Sequence, residues 1–289
     1  VAVKGLTLPG AMEGLKFLFK PDFSAVTGGT LLAALGQAFF SLSLGMGCMV
    51  TYGSFLSKEE NIKGNALLIT VMDTCIALLA GLAMFPSIFA YGLEPAAGPG
   101  LIFIVMPTIF AHMGGVVGQV LHFVFFIAFT AAAFTSSVSL LEVVTDYLIE
   151  QHGMVRKNAV ILCTVLMAVM TTLASLSQGP LAHVQILGAG FFDIMDLLSD
   201  KVYMAIGGLL LCIAVGWAMP KEEVYNEITN NGTIPFGLFK VWHFLIRFII
   251  PILVAIVSIT GIISVPQRGI MILGIISIVI MAIFSKKMK

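Results

Sequence analysis

The chain has 289 residues, of which 59% are hydrophobic and only 10% charged, with a formal net charge of zero and a mean hydropathy of +1.06. A soluble domain carries about 25% charged residues, so this composition excludes a water-facing globular surface, and the absence of a basic excess excludes a nucleic-acid partner. Apolar runs of about 20 residues, the length that crosses the hydrocarbon core, recur along the whole chain and make the lipid bilayer its main solvent.

Long unbroken apolar runs suit helices rather than the alternating strands of a barrel, because lipid leaves no backbone group unpaired. Residues 1–29, with Pro9, Pro21 and several glycines, read as a loop. Apolar runs set against polar breaks then predict seven spans, at about 30–56, 64–91, 116–149, 157–177, 190–219, 240–264 and 268–285. Residues 92–115 contain Pro95, Pro99, Pro107 and Gly114-Gly115 and are too broken to span; the apolar piece Leu101 to His112 within them suits a re-entrant or surface hairpin. The last span is the weakest, because Ile270 to Phe284 is short, and the lysines Lys286, Lys287 and Lys289 follow it like a stop signal.

If each span crosses once, Lys58, Lys63, Arg156, Lys157, Lys221, Lys240, Lys286, Lys287 and Lys289 share one side. Lys4, Lys16, Lys20 and Arg268 share the other, while Lys201 and Arg247 fall inside spans. Nine against four places the first set, and the C-terminal tail, in the cytoplasm. Cys48, Cys75, Cys163 and Cys212 each lie alone in an apolar run and read as packing or lipid-facing residues.

Polar residues inside the spans are the candidates for function. The first span carries Ser41-Leu42-Ser43-Leu44-Gly45-Met46-Gly47 near its middle. Small residues there serve either close helix packing or a discontinuous helix whose freed carbonyls and half-helix ends hold an ion or substrate. In the second span, Asp73 is a carboxylate at a depth where insertion costs at least about 2.5 kcal/mol unless it is paired or hydrated. The third span holds the hydroxyl run Thr135-Ser136-Ser137, which either bonds back to its own helix or offers oxygens to a hard cation such as Na⁺. Glu142 and Asp146 lie toward the cytoplasmic end, where solvation suffices. Asp193 and Asp196 open the fifth span, a place that favours acids. The five histidines are scattered and no His/Glu pair has metal spacing, so nothing points to an enzyme or to a bound cofactor.

Together these segments resemble the neurotransmitter:sodium symporters, which have the LeuT-type fold. The marks are Gly36-Gln37-Ala38-Phe39-Phe40-Ser41-Leu42-Ser43-Leu44-Gly45, the cluster Thr135-Ser136-Ser137, and Arg247-Phe248-Ile249-Ile250-Pro251. The resemblance runs from the loop around Gly14 to Asp22 as far as about Ile263. It implies an all-α membrane bundle holding the second of two inverted repeats, helices six to ten, followed by peripheral helices. On that reading residues 1–29 are an extracellular loop, 30–219 the repeat and 220–289 the peripheral helices and cytoplasmic tail. The first five helices would be missing and the chain, which begins with Val rather than Met, would be a fragment. A half-size or regulatory membrane subunit acting with a partner chain is the alternative.

The resemblance also assigns roles. Phe40, Ser41, Ser43, Met46, Ser136 and Leu140 would line the substrate pocket, with Phe40 as its outer lid. Ser41 and Asp73 would serve one sodium site, and Ala132, Thr135 and Ser136 a second. Asp196 would be an outer-gate acid, and Glu150 an inner-gate acid where the family often has aspartate; Phe55 stands where it often has tyrosine. Asp73, where many members have asparagine, resembles the chloride-independent bacterial branch: a fixed carboxylate beside sodium replaces a bound anion. Gln37 and Ser41 would then only hydrogen-bond that carboxylate. Met46 and the uncharged pocket imply a hydrophobic L-amino acid, aromatic ones favoured, imported with Na⁺ by alternating access across the plasma membrane.

Overall fold

The structure, a computed structural model, describes residues 5–95 and 98–287, the side chains of Leu32, Ser264 and 281–287 excepted. Its long elements are helices: α1 (Ala11–Phe19), α2 (Gly28–Ser41), α3 (Cys48–Ser54), α4 (Ile62–Ala90), α5 (Leu101–Met113), α6 (Gly115–His152), α7 (Arg156–Ser177), α8 (Phe191–Ala218), α9 (Lys221–Thr229), α10 (Phe239–Ile263) and α11 (Arg268–Lys287). Five of them, α4, α6, α7, α8 and α10, are long and apolar enough to cross a membrane. The 38 residues of α6 extend about 57 Å, more than the hydrocarbon core needs.

One expectation holds and one changes. The span at 30–56 is the discontinuous helix that the resemblance implies: it forms as α2 and α3, each too short to cross alone. The stretch 1–29 is not all loop, because α1 forms within it and packs: a Cβ on Gly14 would meet the Phe85 carbonyl carbon at 2.6 Å, and the Phe17 ring lies 5.0 Å from Phe85. The apolar contact with α4 offsets the propensity cost of glycine in so short a helix. Beside it, Asp22 accepts hydrogen bonds from the hydroxyl and amide of Ser24, which hold its carboxyl below the usual carboxylate range. Met288 and the tail residue Lys289 lie outside the described residues.

The chain divides into two compact units, Val1–Val26 with Ala66–Val138, and Thr27–Asn65 with Ser139–Lys289. In the first, Ile88, Met106, Ile109 and Phe110 form a buried cluster with Leu121 and Phe125 against it. In the second, Ile194, Leu198 and Val202 of α8 bury against Ile270 and Met271 of α11, and α8 also packs along α10.

Candidate functional site

The interruption between α2 and α3 has a definite geometry. The Ser43 amide donates to the Phe40 carbonyl at 3.1 Å and the Leu44 amide to the Phe39 carbonyl at 2.9 Å. Ser43 has a φ of 53°, in the left-handed region. This is a Schellman closure with serine at the position that usually holds glycine, and it terminates α2 while satisfying its last carbonyls. The chain then turns through Gly45 (φ 82°) and Gly47 (φ 87°) before α3 restarts at Cys48. The break is therefore built by the sequence and is more than loose packing.

What lets the break sit inside a bundle is a glycine contact with α8. A Cβ on Gly45 would collide with the Met204 carbonyl, one on Gly207 with the Gly45 carbonyl, and one on Gly208 with the Phe39 ring. Small residues of this kind let backbones approach closely where no hydrophobic force drives helices together. Both of the readings the residues allowed are thus realised: tight packing is the means, and a discontinuous helix is the result.

Next to the break is a cavity of about 590 Å³, walled by α2, α8 and α10. Gln37, Phe40, Asp196, Asp200, Lys201 and Thr260 face it. Its size falls within the range of about 300–1,000 Å³ typical of small-molecule pockets. Phe40 and Asp196, far apart in sequence, are brought to one cavity, from α2 and α8 respectively. Ser41, Ser43 and Met46 stay with the unwound segment and do not line this cavity, and neither do Leu140 and Glu150, both on the C-terminal part of α6.

The other candidate residues belong to the first unit. Asp73 is half-buried on α4, with Thr70 and Thr74 on either side of it donating to carbonyls one turn back at 2.9 Å. On α6 the Thr135 hydroxyl donates to the Ala132 carbonyl at 2.8 Å, so two of the expected sodium-site oxygens stand together. Ser137 bonds the Ala133 carbonyl at 2.8 Å. Residues 131–138, Ser136 among them, are all exposed.

Two ion pairs escaped the reading of the sequence. Arg156 bonds both oxygens of Glu142 at 2.8 Å across the turn between α6 and α7, so Glu142 is paired rather than simply solvated. Lys201 pairs with its neighbour Asp200 inside α8 and on the cavity wall. The adjacent acid and base in an otherwise apolar run were the available signal for the second pair. The hydrogen bond from the Tyr52 hydroxyl to Ser139 had no such signal.

Apolar helices of spanning length, a helix broken by a Schellman turn and a cavity along its first half define a multi-pass membrane protein of the LeuT-type transporter class. The profile of the sodium:neurotransmitter symporter family matches residues 1–272, and the chain belongs to that family, one of transporters and not of enzymes. It is 38% identical over 266 residues to the sodium-dependent transporter YhdH of Bacillus subtilis (strain 168), covering 91% of this chain and 58% of the relative. A sodium-dependent transporter of Haemophilus influenzae (strain ATCC 51907 / DSM 11121 / KW20 / Rd) is 35% identical, with 90% and 56% covered. Among solved structures, MhsT in complex with L-phenylalanine superposes with a TM-score of 0.80 at 40% identity, over 90% of this chain and 58% of that one. The chain thus spans somewhat over half the length of the relatives it matches.

Proposed function

We propose that this chain forms the second repeat of a sodium-coupled symporter that imports a hydrophobic, preferentially aromatic, L-amino acid by alternating access. The observation that carries the reading is the Schellman break at Ser41–Gly47 beside the cavity that Phe40 and Asp196 share. Unwound backbone in a bilayer survives only where it is packed in protein or lines a cavity, and such breaks are where transporters hold substrate and coupling ions. That MhsT was solved with L-phenylalanine, at 40% identity, supports an amino-acid cargo of this class.

The roles follow the chemistry of each group. Phe40 and the unwound segment through Ser43 and Met46 receive the side chain of the substrate, with Ser136 and Leu140 completing the pocket. Ser41 and Asp73 hold one sodium ion, and the Ala132 carbonyl with the Thr135 and Ser136 hydroxyls hold another; oxygens are the ligands a hard cation takes. Asp73 supplies the negative charge that a chloride ion would otherwise provide. Asp196 gates the outer side and Glu150 the inner side. The first repeat completes the site, and the protein sits in the plasma membrane with its tail in the cytoplasm.

The experiment is uptake of labelled phenylalanine, tryptophan and leucine into proteoliposomes holding the complete product of the encoding gene. Uptake driven by an inward Na⁺ gradient and lost when choline replaces Na⁺ is the expected result. Uptake that persists without Na⁺ overturns the coupling, and a preference for charged amino acids overturns the substrate class.

A further inference from the structure

Away from the core, the second unit carries a basic and aromatic surface where α8 ends and α10 begins. Lys221, the first residue of α9, and Lys240, near the start of α10, line a cavity of about 760 Å³ with Glu222, Tyr225, Phe236 and Phe239. Glu222 is the one carboxylate on that wall among the described residues, against two lysines. Lys63 adds a further positive charge, with its ammonium 5.5 Å from the Phe236 ring and donating to the Pro235 carbonyl at 2.8 Å.

Eight residues along α10 from Phe239 is Arg247. Its guanidinium lies 4.3 Å from the centroid of the Trp217 ring and 5.5 Å from that of Phe248. The Trp217 indole N–H donates to the Arg247 carbonyl at 2.9 Å, and a Cβ on Gly216 would come within 3.0 Å of the Arg247 Cα. The two helices are locked at close range here. Yet Arg247 is in no ion pair among the described residues, and its Nε is buried without a hydrogen-bond partner. His243, one turn earlier and 5% exposed, has its Nε2 in the same condition, and the charges of both Lys221 and Arg247 bear on it.

A guanidinium has five N–H donors and no acceptor, and the ring faces of Trp217 and Phe248 leave its Nε–H without an acceptor, which an anion would supply. Side chains on a helix lean toward its N-terminus, which here carries Lys240, so Arg247 reaches toward the same interface as the two lysines. Trp217, Phe244 and Phe248 are each about half exposed beside it, a surface suited to acyl chains and glycerol and useless to a free inorganic anion.

We propose that Lys221, Lys240 and Arg247 hold the phosphate headgroup of an anionic phospholipid, whose chains lie against Trp217, Phe244 and Phe248. Basic pockets between spanning helices on the cytoplasmic side are suited to such headgroups. The proposal rests on the topology given above, which turns this end of α8 and α10 toward the cytoplasmic leaflet.

The test uses the complete product of the encoding gene in nanodiscs of phosphatidylcholine alone or with phosphatidylglycerol, read by thermal unfolding and by native mass spectrometry of retained lipid. Phosphatidylglycerol should raise the melting temperature and remain bound as a single copy. Lys221→Gln with Lys240→Gln should weaken retention by about tenfold, and Arg247→Lys, which keeps the charge and loses the planar fork, by a similar factor. Melting in pure phosphatidylcholine should stay unchanged for the lysine pair. Equal retention of both lipids, an unaffected double lysine variant, or a shift reproduced by inorganic phosphate each overturns the proposal. If Arg247→Lys does not fold, the lysine pair decides alone. Labelling of Lys221→Cys from outside intact cells would overturn the cytoplasmic placement on which the proposal rests, whereas failure of Na⁺-driven uptake leaves the lipid reading intact.

Discussion

The α2–α3 break and the hydroxyl face of α6 reach similar polarity in opposite ways. Around the break, polar backbone is closed by a Schellman turn and pressed onto glycines of α8, the spanning helix with the most buried core, 28% of its most apolar window. On α6 the hydroxyls of Thr135 and Ser137 bond their own helix, and only 6% of the corresponding window is buried within the chain. A break in a helix requires a neighbour at backbone distance, whereas hydroxyls at the bilayer's mid-depth can wait for a partner because their own helix satisfies them. The first region is preorganised by this chain, and the second is a row of hydroxyls bonded to their own helix and little covered by the rest of the chain.

The largest effect should come from removing the contact that supports the break. Gly45→Val adds a Cβ where the Met204 carbonyl stands and also forces a β-branched residue to a φ of 82°. Overpacking and backbone strain together should cost about 3 kcal/mol or more, seen as loss of the monodisperse peak and of cooperative melting in detergent. Gly208→Val, which displaces the Phe39 ring, should be milder because a side chain can move where a carbonyl cannot. If Gly45→Val melts like the parent, the break is not supported by α8.

Asp73→Asn tests the carboxylate of α4, which lies in the same compact unit as the hydroxyl face of α6. Asparagine keeps the size and loses the charge, so Na⁺-driven uptake by the complete gene product should fall by at least about tenfold, or about 1.4 kcal/mol, and should recover in part with chloride. Uptake equal in chloride and gluconate for both the parent and the variant, with no fall, would sink the role given to this carboxylate.

Thr135→Val separates function from stability. The hydroxyl donates to the Ala132 carbonyl of its own helix on an exposed face, so its loss should change stability by less than about 1 kcal/mol. The Na⁺ concentration for half-maximal uptake should nonetheless rise about tenfold, because one hard oxygen ligand is gone. A large drop in melting temperature with unchanged Na⁺ dependence would instead make Thr135 a packing residue.

How much of this was legible follows from range. The spanning helices were readable because lipid demands long apolar runs, and the broken helix because Ser and Gly cluster within seven residues. The helix α1 was hidden by Pro9, Pro21 and the glycines around it, since its stability comes from Phe17 and Gly14 against α4 and not from its own propensity. Phe40 and Asp196 were placed by family resemblance, and no local pattern could bring them to one cavity. The Trp217–Arg247 lock was equally invisible, because it joins residues 30 apart through a ring face and a backbone carbonyl. Local periodicity reports on the chain's solvent; contacts between helices are set by which small residue meets which neighbour.

The smallest expected effect bears on the turn between α6 and α7. Arg156 is 62% exposed while its partner Glu142 is 18% exposed, so water screens the pair from one side. Glu142→Gln removes the charge and keeps one acceptor, and should cost less than about 1 kcal/mol, with the loss shrinking further in high salt. A single Nη2 shared between both carboxylate oxygens lacks the two parallel bonds of a guanidinium fork and adds little, because ordering the arginine costs side-chain entropy. Thermal melts at low and high ionic strength measure this directly. A cost above about 2 kcal/mol that salt does not diminish would mean the pair is shielded in the assembled protein. That outcome would put Glu142, like the hydroxyls of α6, among the groups that await cover from elsewhere.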